Sequence, residues 1–210
     1  MLLPRADPVG GGSIDTVLPG GMTVVDLASD AQYAYALDSF GNVTRAPLTG
    51  GSVEPVASGL GGPAGLLRLV GGMLYWFDQG GTLRRVAASG GSAENIASGQ
   101  PSLSDLTADG QFVYTAQQSG SVSRLPFDGG VPVEVTSTPS GPTSLALDGQ
   151  SLYWIEPYRL GKVDLADGGV QVLAIGLEGD AGQPNAIAVD ATQIYWTEAG
   201  SGAIKRGDTK

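Results

Sequence analysis

Two carboxylates, one guanidinium and two hydroxyls recur at matching places in this chain, and they are its first candidates for chemistry. Asp26, Arg68, Asp105, Thr107 and Ser144 fall four or two residues before a turn-forming acid or glycine pair in successive repeats of one pattern. Residues two apart on a strand project to the same side, so the five would share a polar face on the strand that lines a central channel. Carboxylate and hydroxyl oxygens gathered there are hard donors of the kind that hold calcium. Two carboxylates in unlike environments also supply a general acid and a general base. Arg68 carries the competing reading. It falls in the repeat between those of Asp26 and Asp105 and would neutralise both, which makes the cluster structural.

A second set lies in connecting segments. The stretches Glu156-Pro157-Tyr158-Arg159-Leu160 and Leu177–Gln183 read as longer than their counterparts in other repeats, and Phe40 is a further aromatic between strands. Tyr and Arg are the residue types that most often dominate interface energetics. Tyr158, Arg159, Asp180, Asn185 and Phe40 are therefore expected on one rim, as contacts for a protein or glycan, against the plainer reading that they only cover the rim. A third pattern is an acidic column, Asp38, Asp78, Glu156 and Glu198, followed seven or eight residues on by Arg45, Arg85 and Arg206, with Leu165 at the matching place of the fourth repeat. Recurrence in most repeats points to a ladder of ion pairs, since a catalytic group is normally unique.

Composition narrows the chemistry further. The chain has 210 residues, no Cys and no His. That excludes thiolate and Ser–His nucleophiles, iron–sulfur clusters and zinc sites of the usual ligand types. The expected cofactor is none, with calcium the one metal left open. The formal charge is −10, from 11 basic and 21 acidic residues, and no Lys/Arg run occurs. Such a surface repels a phosphate backbone, so nucleic acid is not an expected partner. No run of eighteen apolar residues occurs, so no membrane insertion is expected.

The elements that must position these groups are short strands. Tyr recurs at 35, 75, 114, 153 and 195, at intervals of 40, 39, 39 and 42 residues. A period near forty built of short Val-, Ile- and Tyr-rich runs between Gly, Pro and Asp is the pattern of a β-propeller, one small sheet per repeat. We read one all-β domain over residues 1–210, with repeats at 22–62, 63–100, 101–141 and 142–183 and partial ones at 1–21 and 184–210. About five four-stranded blades are expected, with the strand Ile14–Leu18 completing the C-terminal blade and giving a monomer if the ring closes; the alternative is an open part of a six-bladed or larger propeller. Asp30, Asp109, Asp148 and Asp190 sit five residues before a Tyr. They are expected to accept backbone amides in hairpin turns. Adjacent Tyr and Trp point to opposite faces and should pack against different neighbouring blades.

The second-strand segments read Tyr35-Ala36-Leu37-Asp38, Tyr75-Trp76-Phe77-Asp78, Tyr114-Thr115-Ala116-Gln117, Tyr153-Trp154-Ile155-Glu156 and Tyr195-Trp196-Thr197-Glu198. With Ile187-Ala188-Val189-Asp190 upstream of the last, they resemble the YWTD repeat of low-density-lipoprotein-receptor-type propellers and their bacterial relatives, although no repeat spells YWTD. The resemblance implies an exported, periplasmic or extracellular protein. It also implies a non-catalytic propeller whose loop rim binds protein or glycan. The rival expectations are a calcium-dependent lactonase-like or carboxylate-pair glycosidase-like enzyme using the channel acids, and a fragment of a larger exported propeller.

Overall fold

The computed structural model describes residues 23–58, 63–78, 80–100, 102–175, 184–198 and 202–208, and all regular structure among them is β. The first sheet holds β1 (Val24–Ser29), β2 (Tyr33–Asp38), β3 (Val43–Pro47) and β4 (Glu54–Ala57). The second holds β5 (Pro63–Val70), β6 (Met73–Asp78), β7 (Leu83–Ala87) and β8 (Glu94–Ala97). The third has β9 (Leu103–Ala108), β10 (Phe112–Gln117), β11 (Ser121–Pro126) and β12 (Val133–Ser137). The fourth has β13 (Ser144–Leu147), β14 (Ser151–Glu156), β15 (Arg159–Asp164) and β16 (Val170–Ile175). The fifth comprises β17 (Pro184–Val189), β18 (Gln193–Glu198) and β19 (Ala203–Asp208). Each sheet is antiparallel and pairs in chain order. The first strands β1, β5, β9, β13 and β17 pack against one another in succession. Five blades thus follow one another around an inner row of strands, as the forty-residue period requires. The strand expected at Ile14–Leu18 lies outside the described residues.

The core lies between blades. Tyr35 of the first sheet packs in one cluster with Trp76 of the second, and Tyr114 of the third with Trp154 of the fourth. Tyr153 faces Ile187 and Trp196 in the same way. Each Tyr therefore meets the following blade and each Trp the preceding one, which is the consequence of alternating side chains on a strand. Truncating a large side chain in such a seam costs about 3–5 kcal/mol.

Turn chemistry fixes the tyrosines from outside the seam. Asp30 Oδ1 accepts the amides of Gln32 and Tyr33, and its Oδ2 accepts the Tyr35 hydroxyl at 2.8 Å. Asp109, Asp148 and Asp190 do the same, taking the hydroxyls of Tyr114, Tyr153 and Tyr195 at 2.9, 2.7 and 3.0 Å. The second blade differs. Its turn is Gly71-Gly72, with φ of 57° and 76°, and the buried Tyr75 hydroxyl has no hydrogen-bond partner.

The first-strand residues Leu67, Leu106, Leu145 and Ile187 are buried, but Leu27, at the matching place of β1, is 58% exposed. Its side of β1 is turned away from the second blade, and it belongs to none of the core clusters. At the other end Ile204 of β19 is 75% exposed. No helix among the described residues is long and apolar enough to cross a membrane.

Burial pushes Tyr75 from the ordinary 10.0 up to about 12, against the nearby charge of Arg85. Burial first, and then the bond to the turn aspartate, push Tyr35 and Tyr153 to about 12 as well. A phenol whose folded pKa is raised contributes stability that is complete below its unfolded value and is lost as pH climbs toward the folded one. The chain should therefore unfold cooperatively between pH 10.0 and about 12, with phenolate absorbance and loss of β circular dichroism rising together. Full phenolate absorbance with an intact β signal would contradict this packing.

Candidate functional site

The first-strand acids form latches between blades. Asp26 Oδ2 accepts the Leu67 amide of the second blade at 2.8 Å, and its Oδ1 accepts the Leu27 amide at 2.8 Å. Asp105, 3% exposed, takes the Leu106 amide on Oδ1 and the Leu145 amide and Ser144 hydroxyl of the fourth blade on Oδ2. Arg68 stands between them, 3.3 Å from Asp26 and 2.9 Å from Asp105. Four of the five residues singled out in the sequence are thus joined, and they face the seams between first strands. Thr107 pairs across to Tyr114 in the β9–β10 ladder, half-buried, and makes none of these bonds. Among the described residues no three His, Cys, Asp or Glu side chains converge as a metal would need. What this arrangement does chemically is neutralise two acids and satisfy four backbone amides, those of Leu27, Leu67, Leu106 and Leu145.

The ion-pair ladder runs along a different path from the expected one. Arg45 and Arg85 pair with Glu54 and Glu94 of their own fourth strands, at 2.7 and 2.8 Å. The register explains this: Arg45 lies opposite Tyr35 and Arg85 opposite Tyr75. Asp38 and Asp78 are three residues past those tyrosines and so face the other side of the sheet. Asp38 accepts the Phe40 and Asn42 amides in its own turn. Asp78 holds the Gly80 and Thr82 amides and pairs with Arg84 at 2.9 Å. Burial raises the pKa of both, but bonds from Asn42 to Asp38, and from Thr82 and Arg84 to Asp78, outweigh it and hold both below the ordinary 3.8. Glu198 pairs with Lys205 rather than Arg206. The fourth-blade residue of the basic column is Lys162, opposite Tyr153, and not Leu165. In the third blade it is Arg124, opposite Tyr114.

Strand directions place the connections from second to third strand, and from fourth to first, on one rim. The 157–158 turn is the shortest of these second-to-third connections, contrary to its reading as long, because Glu156 and Arg159 still pair in register. Tyr158 takes φ of 74° there and is 42% exposed. Arg159 Nε lies 3.6 Å from the buried Glu156, which also accepts the Ser140 amide. Phe40, in the same turn of the first blade, is 71% exposed. Asn185 is exposed on β17, and Asp180 lies outside the described residues. A cavity of about 480 Å³ opens on this rim, lined by Ser104, Gln118, Thr143, Pro157 and Asn185 among others. Ser104, Gln118 and Thr143 carry no signal in the sequence, because only the packing of successive blades brings residues of the second to fifth blades to one place.

Comparison with known proteins supports the architecture. No family model matches the chain, and no curated protein matches its sequence. Among solved structures, one chain of a nidogen/laminin complex superposes with a TM-score of 0.68 at 21% identity, over 84% of this chain and 72% of that one. The computationally designed Ika8 protein gives 0.60 at 12%, over 89% and 71%. PorZ, a surface component of the type-IX secretion system of Porphyromonas gingivalis, gives 0.67 at 12%, over 92% of this chain and 28% of its own. At these identities the likeness is one of fold.

The latch predicts unequal costs. Asp105→Asn removes a buried charge facing Arg68 and should destabilise by about 3 kcal/mol or more, whereas Asp26→Asn, at a partly exposed acid, should cost less. Because Arg68 already serves both acids, millimolar calcium should leave the melting temperature unchanged. A calcium-dependent rise abolished by Asp105→Asn would instead make the cluster a cation site.

Proposed function

We propose that the chain is a non-catalytic β-propeller that presents its loop rim to a protein partner, in the manner of YWTD-type propellers. The observation that carries this is the rim cavity, formed by turns and strand ends of several blades beside the 157–158 turn, where Tyr158 is exposed. The first-strand acids are engaged by backbone amides and Arg68. They are thereby poorly suited to proton transfer, which favours the binding reading over the lactonase-like or glycosidase-like one. Tyr158 offers a large amphipathic contact at small entropic cost, and Pro157 restricts the turn beside it. Asn185 adds an amide across the cavity mouth, and Phe40 a second aromatic on the same rim. Arg159 supports the turn through Glu156 and extends the contact. One chain of a nidogen/laminin complex, an assembly of two proteins, has a similar fold, which supports a protein as the partner.

A photo-crosslinking side chain tests this when placed at Tyr158, with another at Leu48, which is 47% exposed in the turn between third and fourth strands of the first blade on the opposite face. A discrete protein should be trapped from position 158 and not from 48. Affinity for that protein should fall by about 2 kcal/mol in Tyr158→Ala, with stability changed by less than about 1 kcal/mol. Equal trapping from both faces, or a loss of stability without loss of binding, would show the turn to be only a cover on the blade.

A further inference from the structure

On the face opposite that rim, the third strands carry the basic residues that lie across from the tyrosines. Arg45 stacks on Tyr33, with its guanidinium carbon 4.6 Å from the ring centroid. It donates from Nε and Nη2 to Glu54 at 2.9 and 2.7 Å, and from Nη1 to the Ala88 carbonyl of the second blade at 3.0 Å. Arg85 repeats the arrangement, with Glu94 at 2.9 Å from Nε and the Phe127 carbonyl of the third blade at 2.5 Å from Nη1. Each guanidinium takes a carboxylate from its own fourth strand and a carbonyl from the next blade.

Arg124 occupies the same place in the third blade. It lies opposite Tyr114 and stacks on Phe112 at 4.8 Å, as Arg45 does on Tyr33. Its cross-strand partner, however, is Val133, where the first two blades have Glu54 and Glu94. No hydrogen bond or ion pair joins Arg124 to a described residue. Beside it runs a groove between the third and fourth blades, made of two adjoining cavities of about 590 and 320 Å³ that share Arg124, Asp164, Leu165 and Ala166.

We propose that this groove binds a carboxylate, presented as a glutamate side chain of a partner polypeptide, with Arg124 as its anchor. The chain itself shows which group this guanidinium accepts, because two of its own glutamates fill the equivalent position in neighbouring blades. Stacking on Phe112 fixes the guanidinium plane, so the Nε and Nη2 edge is presented for charge-assisted bonds with little ordering left to do. Val133, 57% exposed, offers an apolar wall to the methylenes of an incoming glutamate. Asp109, Glu134, Asp164 and Asp167 also line the groove. Their oxygens are engaged by the Tyr114 and Ser121 hydroxyls and by the Ala166 and Gly169 amides among others, yet their charges remain and outnumber Arg124. A single carboxylate held on Arg124 meets less of that repulsion than a phosphate dianion would. This site is on the other face of the row of blades and stands or falls independently of the rim.

The test follows the Nε–Hε signal of Arg124 in the whole chain with arginine side chains labelled for NMR, identified by its loss in Arg124→Gln. The probes are a blocked peptide with one glutamate, its glutamine counterpart, free glutarate and inorganic phosphate. The glutamate peptide should shift the signal saturably and bind about tenfold or more tighter than the glutamine peptide or phosphate, the difference expected for a charge-assisted bond. Val133→Glu restores an internal carboxylate; it should shift the Arg124 signal without any probe and abolish peptide binding, while the chain remains folded. Peptide binding that survives Val133→Glu, a preference for phosphate, or no saturable shift would overturn the proposal. Glutarate binding as tight as the peptide would overturn its assignment to a partner polypeptide.

Discussion

In four of the five blades a bond between the second-strand tyrosine and the aspartate five residues before it ties the turn to the seam, and the packing between blades depends on it. The carboxylate uses one oxygen on two turn amides and the other on a phenol that has reached through the edge of the seam. One acid thereby closes the hairpin from first to second strand and sets the depth of the ring packed against the next blade. A hydrogen bond to a charged acceptor contributes about 1.5–3 kcal/mol, more than a neutral one. Without the aspartate the hydroxyl is buried unpaired, as Tyr75 shows above its glycine turn. With seam depth fixed in this way, Trp76, Trp154 and Trp196 can fill the opposite side from the following blade.

That constraint explains what was legible in the sequence. Tyr, turn Asp and strand-breaking Gly each act within one repeat, over a few residues, so their spacing is fixed and shows as a period. The strands, the hairpins and the opposite facing of Tyr and Trp all follow from it. Interactions that depend on register were less legible. Asp38 and Arg45 are near in sequence, yet an odd offset from Tyr35 puts them on opposite faces, and Glu54 of the next strand takes the arginine instead. The 157–158 turn reads as long only if the residues after it are taken as loop, whereas Arg159 already belongs to β15. Leu27 carries the same residue type as its buried counterparts, and only its position at one end of the row of blades leaves it exposed.

Functional groups divide along the same line. Interior acids are used up by the latches between blades: Asp105 meets two amides, a hydroxyl and a guanidinium. The two candidate binding surfaces lie on opposite faces of the row of blades. One face carries the cavity beside Tyr158, lined by turn residues such as Gln118 and Pro157 together with strand residues such as Ser104 and Asn185. The other carries Arg124, whose sequence signal is a departure within a column, Val133 in place of a glutamate. A break in a repeated contact is informative because the intact copies show what the altered one lacks.

The central claim is that the tyrosine–aspartate bond, and not the ring alone, stabilises the seams. Replacing Tyr35, Tyr75, Tyr114 and Tyr153 one at a time by Phe, and measuring unfolding free energy in urea, tests it directly. The second blade serves as the internal control. Tyr35→Phe, Tyr114→Phe and Tyr153→Phe should each lose about 1.5–3 kcal/mol, while Tyr75→Phe should be neutral or stabilising, since its hydroxyl has no bond to lose. Equal losses at all four positions, or the largest loss at Tyr75, would contradict the account.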